Sequence, residues 1–243
     1  MKNVIKIFYI NLLLLNVAYA QDLLQQPIVN SPIAKAESFF KTAIRQQSRL
    51  YNGTGFQDYG PSVDGSANFQ NSRLFYRGTV IYDGFRYDSI PMVYNLHEDK
   101  LISYFNTPLS MYGLITEKIS DFYLNGHHFK YIHIPNENLS TLQSGIYDLI
   151  YDGRSKILVK RSKKMQVMTE NYDLRYYFVP KTTYYIQQGQ RYEEISTEES
   201  FLSFLKDKKN ELKKYSRAHK IKFKKEPEES IVLLITYYES LLD

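Results

Sequence analysis

Phe75–Tyr76–Arg77–Gly78–Thr79–Val80–Ile81–Tyr82–Asp83–Gly84–Phe85–Arg86–Tyr87 is the stretch whose reading decides the fold class. Aromatic and β-branched residues, which suit a pleated and half-buried surface, run up to Asp83–Gly84 and resume after it. Asp-Gly signals a hairpin because a type I′ turn needs positive φ at both central residues. Three further segments repeat the design: Tyr123–Leu124–Asn125–Gly126–His127–His128–Phe129, Tyr151–Asp152–Gly153–Arg154, and the run from Tyr185 through Gln188–Gly189 to Tyr192. Their glycines are unevenly spaced, so this is a meander of hairpins and not a solenoid repeat. Residues 55–195 therefore predict about eight to ten antiparallel strands in a strongly curved sheet or open barrel. A short helical interruption is expected only around residues 110–119.

Outward from the sheet the period changes. Ser31 as N-cap and Pro32 at the first helical position open a helix expected over about residues 32–48. Its stripe is Ile33, Ala36, Phe40, Ala43 and Ile44, and Asn52–Gly53–Thr54–Gly55 closes it. At the other end, Ser196 or Thr197 caps a helix, with Glu199 in the capping-box position of Ser196. Phe201, Phe204, Leu205, Leu212 and Tyr215 form its apolar stripe. Pro227 opens a second helix with Ile231, Leu234, Ile235, Tyr238 and Leu242 on one face. The fold class is α+β: a sheet domain with its leading helix over residues 32–195, and a helical segment over 196–243 that packs on the sheet.

The first 20 residues read as a targeting segment. Lys2 and Lys6 precede an apolar core, and Ala18–Tyr19–Ala20 gives a small-x-small cleavage pattern. The apolar run falls short of the roughly 20 residues of a spanning helix. We expect export with cleavage after Ala20, a polar linker over residues 21–31, no transmembrane span in the mature chain, and a periplasmic or secreted bacterial location. Losing Lys2 and Lys6 lowers the formal charge from +5 to +3, too weak a bias to imply nucleic acid. The chain has no cysteine, which excludes disulfides, thiolate nucleophiles and cysteine-held metals.

Candidate chemistry is sparse. His127, His128 and His133 cluster in sequence, and His127 and His133 would share a strand face. Six residues of extended strand separate those two by roughly 20 Å, so one strand does not bring them onto one metal. Solvent-facing turn histidines are the better reading. Asp83 and Asp152 occur in matching Tyr-Asp-Gly contexts, where a carboxylate pair would suggest glycosidase chemistry. The turns already account for both, since aspartate before glycine bonds its local backbone. No nucleophile elbow, zinc-protease helix, Walker loop or dinucleotide fingerprint is present. No catalytic residue and no cofactor is assigned.

Charge and tyrosine supply the remaining signals. Over residues 206–225, Lys206, Lys208, Lys209, Lys213, Lys214, Arg217, Lys220, Lys222, Lys224 and Lys225 face only Asp207 and Glu211. The segment suits an anionic partner, for which Lys206, Lys209, Lys213, Arg217 and Lys220 are the candidate residues, or it is the solvated face of an amphipathic helix. Lys160–Arg161–Ser162–Lys163–Lys164 reads as a loop or as an edge strand protected from aggregation by charge. Tyrosine numbers 23 and phenylalanine 14. Tyr172, Tyr176 and Tyr184 are candidates for an aromatic binding face, although tyrosine is equally a good strand former. Asp88–Ser89–Ile90 resembles a short O-glycosylation acceptor pattern of exported proteins of the Bacteroidota, but a match of three residues is better explained by chance.

The whole resembles uncharacterised exported proteins of the Bacteroidota in its Val80 to Gly84, Ile90 to Tyr94 and Gly145 to Asp148 strands and its lysine-rich helical end. The resemblance implies a β-rich envelope protein and brings no activity. The leading expectation is a non-enzymatic binding or protein-interaction module of the cell envelope, with another envelope protein, a glycan or a lipid as partner. The second is a carrier of a lipid or other apolar ligand in a cavity lined by Phe75, Ile81, Phe122 and Leu124. The third is an envelope hydrolase.

Overall fold

The computed structural model of the chain describes residues 49–60, 63–135, 141–170 and 173–242. The expected cleavage segment, the linker, the helix over 32–48 and Tyr172 lie outside them. Within these residues the architecture is a curved, open, antiparallel sheet with three α-helices after it.

Twelve strands are described, two of them only two residues long: β1 (Thr54–Gly55), β2 (Val63–Asp64), β3 (Tyr76–Tyr82), β4 (Phe85–Asn95), β5 (Lys100–Tyr104), β6 (Met111–Gly113), β7 (Ile119–Leu124), β8 (His127–Ile132), β9 (Gly145–Asp152), β10 (Ser155–Glu170), β11 (Asp173–Gln188) and β12 (Arg191–Ile195). They are ordered β1-β6-β5-β4-β3-β7-β8-β9-β10-β11-β12, and β2 adds in parallel to β11. The helices are α1 (Glu198–Phe204), α2 (Lys209–Ala218) and α3 (Pro227–Ser240). Where a helical stretch was expected around 110–119, the chain forms β6 and then a single 3-10 turn over Thr116–Lys118.

Local sequence sets two of the hairpins. Asp83 (φ 53°) with Gly84 (φ 78°), and Asn125 (φ 51°) with Gly126 (φ 79°), hold the double positive φ of a type I′ turn. At β9–β10 the same dipeptide behaves differently, because Gly153 has no positive φ. That turn is shaped from outside: one Glu239 carboxylate on α3 accepts from Ser155 N–H at 2.7 Å, Arg154 N–H at 3.2 Å and the Tyr151 hydroxyl at 3.1 Å.

Alternation along the strands divides the core in three. Val80, Tyr82, Tyr94, Phe122, Phe129 and Ile146 belong to an aromatic core across which the sheet curls. Phe122 stacks on Phe129 at 4.6 Å, and Tyr94 meets both rings edge-on. The hydroxyls of Tyr82 and Tyr112 are buried there, beside the Ile115 backbone and the Ser103 side chain respectively. A second core is largely aliphatic, with Ile157, Ile186, Leu202, Leu212, Ile231 and Leu234 packed between the end of the sheet and the helices. A bulge at Ile150 turns both Ile150 and Tyr151 toward that helical side. Leu149, Leu158, Tyr147 and Tyr185 form a smaller cluster on the opposite face.

The helical end begins at Thr197. Its side chain accepts from Ser200 N–H, and Ser200 completes the capping box, so Thr197 and not Ser196 is the cap. Glu199 is free to pair with Lys209 and Lys213 instead. The single helix expected after this cap is two. Leu205 leaves helical geometry (φ −94°, ψ 46°), and a 3-10 turn over Lys206–Lys208 brings Asp207 to the Tyr238 hydroxyl of α3 at 3.3 Å. Tertiary contact overrides a stripe that would run on unbroken. Pro227 stands in the first turn of α3 as expected, and Ile231, Leu234, Ile235 and Tyr238 are buried.

Candidate functional site

Charge gathers in two places, one buried and one open. The buried one occupies the middle of β10. Alternation places Ile157, Val159, Arg161 and Lys163 on the inner face of that strand. Asp148 on β9, 1% exposed, receives Arg161 Nε at 2.9 Å and Nη2 at 2.7 Å, and His127 Nδ1 lies 2.8 Å from the same Oδ2. Arg161 Nη1 reaches Glu228 in the first turn of α3 at 2.7 Å. Burial opposes the charge on Arg161, but Glu228 and Asp148 outweigh it and hold its pKa above the ordinary value. The chain His127–Asp148–Arg161–Glu228 thus ties the aromatic core to the helices. Its components satisfy one another.

Neighbouring cations follow the same logic. Lys160 Nζ contacts Asp99 Oδ2 at 2.5 Å and the Ile146 carbonyl at 3.0 Å, while the Tyr94 hydroxyl donates to the other oxygen of Asp99. Lys163, 6% exposed, donates to the Ser66 and Asn68 carbonyls and to Asn71 Oδ1 at 2.6–2.8 Å, and burial lowers its pKa. The 160–164 run is therefore not a loop. It lies in the middle of a strand that β11 pairs throughout, past the point where β9 pairing ends at Val159, and Lys160, Arg161 and Lys163 reach partners far away in sequence while Lys164 is exposed.

The histidines also differ from the expectation. His127 and His128 are half-buried, and His128 Nε2 lies 2.8 Å from Asp121 Oδ1. His133 stands apart, beyond the end of β8. No group of three metal-ligating side chains converges among the described residues. Asp83 and Asp152 stay at separate hairpin ends, facing Arg49 and Lys156. Ser89 is exposed at a bulge in β4, with φ 60°.

The open arrangement is a cleft of about 1100 Å³ between the β11–β12 end of the sheet, α1, α2 and the 219–227 segment. Ile195, Leu202, Ile221 and Phe223 give it an apolar floor, Lys213, Arg217, Lys220, Lys222, Lys224 and Lys225 stand around it, and Glu194, Glu198 and Glu199 line its other wall. Of these cations only Lys213 is paired with a carboxylate among the described residues, through Glu199. The end of α2 builds the rim. Lys220 adopts positive φ (52°), and Ile221 N–H bonds back to the Ser216 carbonyl, so the chain turns and delivers Lys222–Lys225 along the opening. Ser216, 5% exposed, donates to Glu198 at 2.6 Å and fixes the wall.

Of the five basic residues singled out from the sequence, Lys213, Arg217 and Lys220 line this cleft, while Lys206 and Lys209 do not. Lys209 is bound to Glu199 at 2.5 Å. Of the aromatic candidates, Tyr184 lines the cleft, and its pKa is raised by burial and by nearby Glu228. Tyr176 sits beside Val63 of β2, eight residues away along β11, or roughly 26 Å at strand rise, so the two do not form one face. Sequence reasoning missed Lys181 and the apolar floor. Only the turn after α2 and the end of β12 place Ile195, Leu202 and Phe223 together.

The cavity expected around Phe75, Ile81, Phe122 and Leu124 does not form from those four. Phe122 and Leu124 are packed in the aromatic core, whereas Ile81 points to the opposite sheet face from Val80, the partner of Phe122. No helix among the described residues is long and apolar enough to cross a membrane. No protein-family model, no curated protein and no solved structure matches the chain.

Proposed function

We propose that this is an exported, non-catalytic binding module of the bacterial cell envelope, and that it holds an anionic partner in the cleft between the β11–β12 edge and the C-terminal helices. The observation that carries the reading is the set Arg217, Lys220, Lys222, Lys224 and Lys225, gathered on one opening without carboxylate partners among the described residues. A solvated helix face has no need of a concave wall, whereas like charges held around a cleft raise the local potential for an anion. Export is supported by Lys2, Lys6, the apolar run and Ala18–Tyr19–Ala20, together with the absence of cysteine.

The test compares two triple variants of equal charge change. One is Arg217→Gln/Lys220→Gln/Lys224→Gln in the cleft. The other is Lys206→Gln/Lys208→Gln/Lys214→Gln outside it. Calorimetric titration uses pyrophosphate, dodecyl phosphate and a ten-residue polyglutamate peptide as probes. At least one probe is expected to bind, at least about tenfold more weakly to the cleft triple and unchanged with the outer triple, which is about 1.4 kcal/mol. No binding by any probe, or equal loss in both triples, overturns the reading.

A further inference from the structure

The floor and the rim of the cleft ask for different chemistry, and resting on the binding reading above, we infer that the ligand is an amphiphile: an apolar chain with a phosphate or other strongly anionic head. The floor is made of Ile195, Leu202 and Phe223, which are buried core residues with little surface of their own, and of half-buried Ile221, and it is continuous with the aliphatic core under α1 and α2. A free inorganic anion gains nothing from such a floor. It would bind at the rim alone and leave the apolar surface to water. A neutral apolar molecule would use the floor and leave the rim cations unanswered. Only a ligand with both parts satisfies both. The volume of about 1100 Å³ lies near the top of the range for small-molecule sites, which suits a chain more than a compact ion.

The neighbouring strand edge argues against the main competitor, an acidic peptide added as an extra strand. β11 carries β2 at Tyr176–Tyr177 and β12 from Tyr184 onward, and between them its outer side is unpaired among the described residues. Lys163 lies opposite Pro180, and Lys163 N–H points away to the Leu96 carbonyl. The Lys163–Pro180 pair is thus a non-hydrogen-bonded one, which turns Pro180 toward the open edge. Proline has no N–H to offer an incoming strand there. The edge beside the cleft is blunted against strand addition, while the cleft itself remains open.

The test is calorimetric titration of the full chain with octyl phosphate, dodecyl phosphate, dodecyl maltoside and pyrophosphate, each below its micellar concentration. Dodecyl phosphate is expected to bind at least about tenfold more tightly than octyl phosphate, since each buried methylene adds affinity. It should also exceed dodecyl maltoside and pyrophosphate by a similar factor, and lose that advantage in Ile221→Asn, a half-buried floor position. The chain-length series needs no variant and stands if Ile221→Asn fails to fold. Equal affinity for the two alkyl phosphates, or for dodecyl phosphate and the maltoside, overturns the inference. Binding of pyrophosphate at the cleft with no gain from the alkyl chain leaves the binding reading standing and removes the amphiphile. Silence from every probe removes both.

Discussion

The aromatic core and the helix-covered core are built on one continuous sheet and are closed in opposite ways. In the first, the sheet curls until Tyr82, Tyr94, Phe122 and Phe129 fill the concavity from several strands. The turn after β4 completes it: Asn95 Oδ1 accepts from His97 and Glu98 N–H, the Leu96 carbonyl accepts from Lys163 N–H, and Asp99 receives Lys160. In the second, the strands do not close on themselves, and Leu202, Leu212, Ile231 and Leu234 from three helices provide the cover. A curled sheet consumes its own inner face. A helical cover brings in a second, polar face, and here that face and the turn after α2 form the rim of the cleft. The open cleft thus lies in the half that needed a lid.

The join between the halves is where the comparison is easiest to break. Arg161→Met removes the group that spans Asp148 and Glu228 and leaves Asp148 buried with only His127. Unpairing a buried ion pair costs about 3–5 kcal/mol, and urea unfolding should show a loss of that size. If the halves are coupled through this residue, the aromatic and helical regions will also cease to unfold in one transition, read by near-ultraviolet and far-ultraviolet circular dichroism respectively.

A smaller effect is expected at the second tie. Glu239→Gln leaves one acceptor oxygen for the β9–β10 turn and puts an NH2 group against either Ser155 N–H or Arg154 N–H, which bond different carboxylate oxygens. A loss of about 1–3 kcal/mol is expected. Hydrogen exchange should localise it, with faster exchange at the amides of Arg154 and Ser155 and little change at the Asp83–Gly84 turn, which needs no outside partner.

The smallest effect concerns the rim itself. Hydrogen bonds from Lys209 and Lys213 hold the Glu199 carboxyl below its ordinary pKa of 4.5. A carboxyl lowered in the folded state contributes stability that is complete above the unfolded pKa and disappears as pH falls through the folded one. Glu199→Gln should therefore flatten the acid limb of the stability profile below about pH 4.5 slightly and leave stability at neutral pH nearly unchanged. The same substitution frees Lys213 toward the cleft.

How far the sequence could be read differs between the two halves. Hairpins at Asp83–Gly84 and Asn125–Gly126, the α+β class, the stripe of α3 and the basic character of the 206–225 segment were all legible, because each depends on residues within a few positions of one another. The 160–164 run was misread for the opposite reason. Five polar residues look like a solvated edge until Asp99, Asp148, Glu228 and the Ser66 and Asn68 carbonyls come to meet Lys160, Arg161 and Lys163 from distant elements. The Asp152–Gly153 turn carries the same dipeptide as Asp83–Gly84 and has a different geometry, since Glu239 from the last helix outweighs the local preference.

By itself, then, the sequence determined the β-rich middle, its Asp83–Gly84 and Asn125–Gly126 hairpins, the helical end and the apolar face of α3, since these follow from periodicity, turn residues and caps, but not β6 in place of a helix or the break at Leu205. The tertiary structure alone decided which charges are neutralised and which remain available. Coulombic and hydrogen-bond partners depend on distance in space, and spacing along the chain does not record it. Arg161 and Lys163 look like surface cations in the sequence and are consumed inside the fold. Arg217, Lys220 and Lys224 look the same and are left standing around an apolar-floored cleft.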